Sequence, residues 1–196
     1  MHSVTPSDTP LDRRAFFSKG LRQVLGKAVD SVTDRMARGH YVRPPGALPE
    51  AAFLAACTRC GECTRVCPVY AIRPLGTEHG LAAGTPALDV NVTACVMCTD
   101  MPCAAACPTD ALEVPLDGWR GVNMSSIAID TERCITYRDV QCGVCAHVCP
   151  VGEKALSIDA RGHPVLGAEC TGCGACISSC VTSPSSISAA PLGGFP

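Results

Sequence analysis

The sequence has few aromatic side chains and no excess of positive charge. Phe, Trp and Tyr together make up 4% of the 196 residues, and the formal net charge is −2. Aromatic side chains supply much of the buried area in an ordinary protein core, so the packing here must depend on something else. No basic face with interleaved aromatic residues is present, which argues against nucleic acid as a partner. No apolar run approaches the roughly 18 residues of a membrane-spanning helix, so no transmembrane segment is predicted.

The short motifs of common enzyme classes are also missing. The sequence contains no GxGxxG dinucleotide fingerprint, no GxxxxGK[ST] phosphate loop and no hydrolase serine elbow. We therefore expect no catalytic residue and no substrate site of its own. Such a chain can still be one subunit of an oxidoreductase complex.

Cysteine, by contrast, is abundant, and all 16 cysteines fall into four groups of four. The first group lies in the run CTRCGECTRVCP, whose spacing is typical of the thiolates that hold [4Fe–4S] clusters in bacterial ferredoxins. Proline follows the last cysteine of the first three groups, and Val181 follows that of the fourth. The four groups are Cys57, Cys60, Cys63 and Cys67; Cys95, Cys98, Cys103 and Cys107; Cys134, Cys142, Cys145 and Cys149; and Cys170, Cys173, Cys176 and Cys180.

These groups predict four [4Fe–4S] clusters, with all 16 cysteines as ligands to iron. A cubane has four iron corners, and each corner takes a soft thiolate. A disulfide framework has no need of repeated Cys-Pro endings, and such frameworks are usually shorter. Structural zinc normally uses two separated CxxC pairs per ion. Both alternatives therefore fit the spacing less well, and the clusters are expected to take the place of a conventional core.

Residues 1–48 form an N-terminal arm with a twin-arginine-like motif at Arg13 and Arg14 and a proline-rich linker at Pro44 and Pro45. Between them, apolar residues at helical spacing predict an amphipathic helix with one apolar stripe. That helix packs on its own domain, on a partner or peripherally on a membrane, or else the segment is a degenerate export signal. The first interpretation implies a cytoplasmic or membrane-peripheral protein, and the second a periplasmic one. The stripe consists of Phe17, Leu21, Val24, Leu25, Ala28, Val32 and Met36.

Residues 49–190 are expected to form the four-cluster domain, and residues 191–196 a loose tail. The predicted fold class is α+β and ferredoxin-like, with two pseudo-twofold dicluster modules of short β-hairpins and short helices around four cubanes. The predicted elements are a helix over 49–56, a loop between 70–72 and 88–90, hairpins of 111–114 with 126–130 and of 155–158 with 164–166, and a strand over 187–189.

Several small or flexible residues lie beside the cysteines. Gly61, Gly143, Gly172 and Gly174 add no side-chain bulk, so they allow backbone N–H groups to approach the cluster sulfurs or simply permit tight turns. Met97 and Met101 are expected to pack around the second group as apolar filler.

From Arg43 to about Ala189 the chain resembles the ferredoxin-type proteins of the NapG/MauM family. This resemblance implies a protein or subunit that relays single electrons between a membrane-linked, quinol-oxidising donor and a terminal reductase or other redox enzyme. A related family, resembling NapF, implies the alternative of a maturation or accessory factor for a reductase. The matching stretches are 43–47, 57–68, 80–86, the second group with its four-residue gap, the third with its seven-residue gap, and 170–174.

The fourth cysteine of each group is expected to complete the cluster of another group, and two pairings are open. The four-residue gap of the second group resembles iron–sulfur subunits of molybdenum oxidoreductases, which implies a nested pairing of group one with four and two with three. A tandem pairing of one with two and three with four suits the short hairpin between the third and fourth groups.

Overall fold

The structure is a computed structural model, and it describes residues 41–192. The predicted export motif and amphipathic stripe lie outside these residues. The described part is a small α+β fold of short elements. The helices are α1 (Glu50–Ala56), α2 (Glu62–Arg65), α3 (Pro102–Ala105), α4 (Val144–His147) and α5 (Ala175–Ser178), and the strands are β1 (Ile72–Pro74), β2 (Pro86–Leu88), β3 (Ser125–Ile129), β4 (Leu156–Ile158), β5 (Pro164–Leu166) and β6 (Ile187–Pro191).

The first half of the described chain has a hairpin between its two cysteine groups. Strands β1 and β2 pair antiparallel, with Ile72 opposite Leu88. The connection contains a 3-10 segment over Thr77–Ala82 that is interrupted at Gly80, where φ is 56°. The predicted loop between 70–72 and 88–90 is therefore flanked by a strand pair. A single β-bridge between Ala47 and Leu112 joins the chain before the first group to the chain after the second.

The second half repeats this plan with longer pairing. Strands β4 and β5 form the hairpin between the third and fourth groups, as the sequence predicts. Strand β3, which precedes the third group, pairs antiparallel with β6, which follows the fourth. The Ala47–Leu112 bridge and the β3–β6 pair thus occupy equivalent places in the two halves.

The predicted hairpin of 111–114 with 126–130 is wrong. Residues 125–129 do form a strand, but its partner is β6, and Leu112 bridges to Ala47 instead. The turn over Asp117 and Gly118 therefore lies in a connection between the two halves. Sequence proximity favours a hairpin because it lowers the entropy cost of closing the loop, but here each outer strand closes its own half.

The core is divided in the same way. In the first half Phe53, Met101 and Leu112 are fully buried within one apolar cluster. In the second half Leu156, Ile177 and Ile187 form a smaller one. Within the described residues no helix is long and apolar enough to cross a membrane.

The chain before α1 is fixed to the first half by one partly buried ion pair. The Arg43 guanidinium donates to both carboxylate oxygens of Glu50 at 2.7 and 2.9 Å, and to Thr85 Oγ1 and Pro86 O at 2.8 and 2.7 Å. Its central carbon lies 4.3 Å from the ring centroids of both Tyr41 and Phe53. The proline-rich segment is therefore part of the packed structure from residue 41 onward, whereas the predicted domain boundary at residue 48 stays a prediction.

Candidate iron–sulfur centres

Each cysteine group begins as a tight loop and continues into a one-turn helix. In the first group Arg59 and Gly61 have φ of 59° and 78°, and Cys63 is buried on α2. Met97 and Gly172 occupy the same left-handed position, directly before the second cysteine of groups two and four. Left-handed residues in such loops turn successive N–H groups towards one concavity, which suits an anionic sulfur cluster.

The fourth cysteine of each group leaves its own triplet and lies with another. Cys107 lines a cavity of about 340 Å³ with the first triplet, Cys67 lines a second cavity with the second triplet, and Cys180 a third with the third triplet. Cys149 lies close enough to Cys170 to raise its pKa. The arrangement defines four sites: site 1 is Cys57, Cys60, Cys63 and Cys107; site 2 is Cys95, Cys98, Cys103 and Cys67; site 3 is Cys134, Cys142, Cys145 and Cys180; and site 4 is Cys170, Cys173, Cys176 and Cys149.

Burial raises the pKa of several thiols at these sites. The pKa of Cys103 and of Cys176 rises to about 12, and that of Cys95 to about 11, first through burial and then through neighbouring cysteines. These sulfurs therefore need a cation in place of the proton if they are to stay anionic at neutral pH. Iron of a bound cluster would provide that charge, and its binding would release the protons.

Hydrogen-bond donors surround other sulfurs. The pKa of Cys180 falls to about 6: burial raises it, but hydrogen bonds from the hydroxyls and N–H groups of Ser186 and Thr182 outweigh that effect. The pKa of Cys107 is also lowered, since donors from Thr109, Ala111 and Leu112 exceed the effect of burial.

The donor set fits a cluster better than a single ion. One zinc ion needs ligands that converge to about 2.3 Å from a common point, and among the described residues no three His, Cys, Asp or Glu side chains come that close together. All 16 cysteines are free of disulfides. Four thiols spread around a shared volume are the arrangement that a cubane requires.

The two halves meet at sites 2 and 4. The Cys95 N–H donates to the Cys173 carbonyl at 2.8 Å. The connection between the halves also reaches site 4, because the Met124 N–H donates to the Thr171 carbonyl at 2.9 Å. Gly174 has a φ of 83°, and a Cβ there would lie 2.4 Å from the Val90 carbonyl oxygen. Glycine is therefore required for this close approach, in addition to permitting a tight turn.

Side chains around the sites connect the two halves and pack beside site 2, and the cysteine spacing alone shows neither role. Asn91 braces the halves, because its amide donates to Ala189 O at 3.0 Å and accepts from Ala189 N at 2.9 Å. Trp119 and Met101 pack beside site 2, as expected for Met101, and the Trp119 indole donates to Cys98 O at 3.0 Å. Met97 accepts a hydrogen bond from the Thr171 hydroxyl at 3.4 Å.

The fold and these four sites define the class: a ferredoxin-type iron–sulfur protein built from two dicluster units. Two matches to the 4Fe-4S dicluster domain cover residues 56–111 and 126–181. They coincide with the two halves, and together they account for four [4Fe–4S] clusters. No solved structure gives a significant match.

Relatives identify the family. The methylamine utilization ferredoxin-type protein MauM of Methylorubrum extorquens is 34% identical, with 95% of this chain and 90% of the relative covered. The ferredoxin-type protein NapG of Escherichia coli is 35% identical over 92% of this chain and 86% of its own length. The ferredoxin-type protein NapF of Escherichia coli is 31% identical over 72% of this chain and 81% of its own length. The chain belongs to the MauM and NapG family of ferredoxin-type electron-transfer proteins.

Proposed function

We propose that sites 1 to 4 each hold one [4Fe–4S] cluster, so that the fourth cysteines pair in tandem. Support comes from the four shared volumes and from the Cys67 and Cys149 thiols, which act on the pKa of Cys95 and Cys170 respectively. The nested pairing requires Cys67 to reach the fourth triplet and Cys107 the third. On the tandem pairing the two halves are related by a pseudo-twofold repeat, each with an inner hairpin and an outer strand contact.

The proposed function is a relay for single electrons through the four sites in the order 1, 2, 4, 3. When bound, a [4Fe–4S] cluster takes up or releases one electron at a time. The chain's own residues hold the sites in sequence: α2 packs against α3 in the first half, and α4 against α5 in the second. The observation that carries the order is the Cys95–Cys173 hydrogen bond, which connects sites 2 and 4 through main-chain atoms.

We propose that a quinol-linked membrane component donates the electrons and that a redox enzyme accepts them, with no substrate site on this chain. The relationship to MauM and NapG supports redox partners of this kind. The chain's own side chains supply ligands, packing and hydrogen bonds, and the proposal assigns no proton or group transfer to any of them.

The test begins with anaerobic purification and an iron count. About 16 iron atoms per chain are expected, four for each of four clusters. Membranes from the native cells, supplied with a reduced quinone, should then bleach the cluster absorbance, and the bleached protein should be reoxidised by a soluble fraction that contains the acceptor. A chain with full iron that neither fraction reduces or oxidises, and that instead binds an apo-reductase, contradicts the relay and supports a maturation factor.

A further inference from the structure

Three hydroxyl groups lie within hydrogen-bonding distance of sulfurs of site 3, and among the described residues none does so at site 4. Thr136 Oγ1 lies 3.2 Å from Cys134 Sγ, and Cys180 Sγ lies 3.2 Å from Thr182 Oγ1 and 3.3 Å from Ser186 Oγ. A thiolate bound to iron has no proton to give, so each hydroxyl is the donor. Site 3 therefore receives three O–H···S hydrogen bonds on two of its four ligands.

The hydroxyls nearest to site 4 have other partners. Thr171 directly follows Cys170, but its hydroxyl donates to Met97 Sδ. Ser178 lies on the same helix as Cys176, and its hydroxyl donates to Ala175 O at 3.1 Å. Within the described residues no hydroxyl hydrogen bond reaches a sulfur of site 4, so the two sites of the second half differ in this respect.

We infer that Thr136, Thr182 and Ser186 raise the reduction potential of site 3 above that of site 4, which makes site 3 the electron-exit end of the relay. Hydrogen bonds to the sulfurs stabilise the more negative, reduced state of a cluster. Thr136 and Ser186 are buried, so water competes little for these bonds. When an electron passes from site 4 to site 3, site 4 is oxidised and site 3 is reduced. This transfer is favourable because site 3 has the higher reduction potential.

The position of site 3 in the relay agrees with this role. Sites 2 and 4 face each other at the junction between the halves, so sites 1 and 3 are the two ends. This inference rests on the proposed function, because it takes the order 1, 2, 4, 3 as given. Donor electrons then enter at site 1, and an accepting partner takes them from site 3.

The test is a redox titration of the full chain followed by electron paramagnetic resonance. Ser186→Ala and the double variant Thr136→Val with Ser186→Ala each remove hydroxyls with little change of shape. Cys142→Ser identifies the resonance of site 3, which it alters or abolishes. Ser178→Ala is the matched control, because its hydroxyl bonds a carbonyl rather than a sulfur.

For the double variant we expect the reduction equilibrium of site 3 to become about tenfold less favourable, which is about 59 mV for one electron. Ser186→Ala alone should produce a smaller shift in the same direction, and it serves if the double variant fails to fold. The control should leave the potential of site 3 unchanged. Unshifted potentials in folded, fully loaded variants, or a wild-type potential at site 4 above that at site 3, would overturn the inference. A wild-type chain with far fewer than about 16 iron atoms would instead overturn the proposed function.

Discussion

At the scale of single residues, the two glycines that flank Cys173 leave no room for a side chain. Gly172 and Gly174 both have left-handed backbones, and a Cβ at either would lie within 2.6 Å of backbone atoms of Ser125 or Val90. Gly162 has an equally left-handed φ of 87°, but a Cβ there would meet nothing within 4 Å. A comparison of Gly162 with Gly174 therefore separates the effect of backbone strain from that of a steric clash.

We therefore predict that Gly174→Ala breaks the junction, whereas Gly162→Ala is tolerated. Both variants carry a left-handed strain of about 1–2 kcal/mol, but only Gly174→Ala must also displace the Val90 carbonyl. Gly174→Ala should lose about four of the 16 iron atoms, those of site 4. Iron analysis and thermal melting of the two purified variants check this, and equal losses in both would contradict it.

The partly buried carboxylate of Glu50 yields a prediction that depends on pH. Burial raises its pKa, but hydrogen bonds from Arg43 and Tyr41 lower the pKa by more than burial raises it, so the net pKa lies below the usual 4.5. A lowered folded-state pKa stabilises the protein above the unfolded value, and this contribution disappears as the pH falls through the folded value.

Glu50→Gln should accordingly cost about 2 kcal/mol at pH 7, the value of lost hydrogen bonds to a charged group. The difference from wild type should shrink as the pH falls below about 4.5. The measurement is the unfolding midpoint of both proteins across that pH range. Glu62→Gln is the control, because its partner Arg65 is exposed and surface pairs contribute little.

At the scale of elements, the strand pair β3–β6 closes the second half. Ile187 of β6 is buried with Leu156 and Ile177, and it lies opposite Ile129 in the register. The strand thus joins the chain before site 3 to the chain after site 4, and it also accepts and donates the hydrogen bonds of Asn91.

Ile187→Ala should destabilise the second half by about 2–5 kcal/mol, the usual cost of removing a buried Ile side chain. Val165→Ala, at an exposed position of β5, should cost far less. Native-state hydrogen exchange distinguishes the two halves in each variant, through the β1–β2 amides of the first half and the β3 and β5 amides of the second. Protection lost equally in the β1–β2 hairpin would show that the halves do not unfold separately.

The elements also show what the sequence can predict. The β4–β5 hairpin is local, and Asp159 marks its turn by accepting from the N–H groups of Arg161 and His163 at 2.9 and 2.8 Å, a role expected of Asp in turns. The partner of β3 lies about 60 residues away, and no local signal encodes that choice. The cysteine types and triplets were likewise readable from spacing, whereas the destination of each fourth cysteine was not, because both pairings satisfy the same motif.

The hydrogen bonds from three hydroxyls to the sulfurs of site 3 could not be predicted from the sequence, for a different reason. Thr136 and Thr182 each follow a cysteine by two positions, but so does Thr109 after Cys107, where the sulfur–hydroxyl distance is 3.9 Å. Spacing alone does not separate a close donor from a distant one. Only the fold around Ser186, six residues beyond Cys180, brings a further donor to the same sulfur.

At the scale of the whole molecule, the tandem pairing predicts which cysteine losses overlap. Cys60 and Cys107 both belong to site 1, so the double variant Cys60→Ala with Cys107→Ala should lose about four iron atoms, no more than either single variant. The nested pairing assigns them to different clusters and requires a loss of about eight. Cys60→Ala with Cys67→Ala is the additive control, because those two cysteines belong to different sites on either pairing. Iron analysis of the variants decides between the pairings.

The direct link between sites 2 and 4 is a main-chain hydrogen bond, and side chains such as Asn91 add further contacts between the halves. Every residue except proline carries the same peptide N–H and carbonyl, so the hydrogen bond between Cys95 and Cys173 does not depend on the identity of their side chains. A duplicated two-cluster unit could thus diverge widely in sequence after fusion and still keep its inner clusters at one fixed separation. Comparisons of amino-acid sequences would register the junction at Gly174, where a side chain must be absent, and at Asn91, whose side chain connects the halves. The main-chain link between sites 2 and 4 would leave little trace in them.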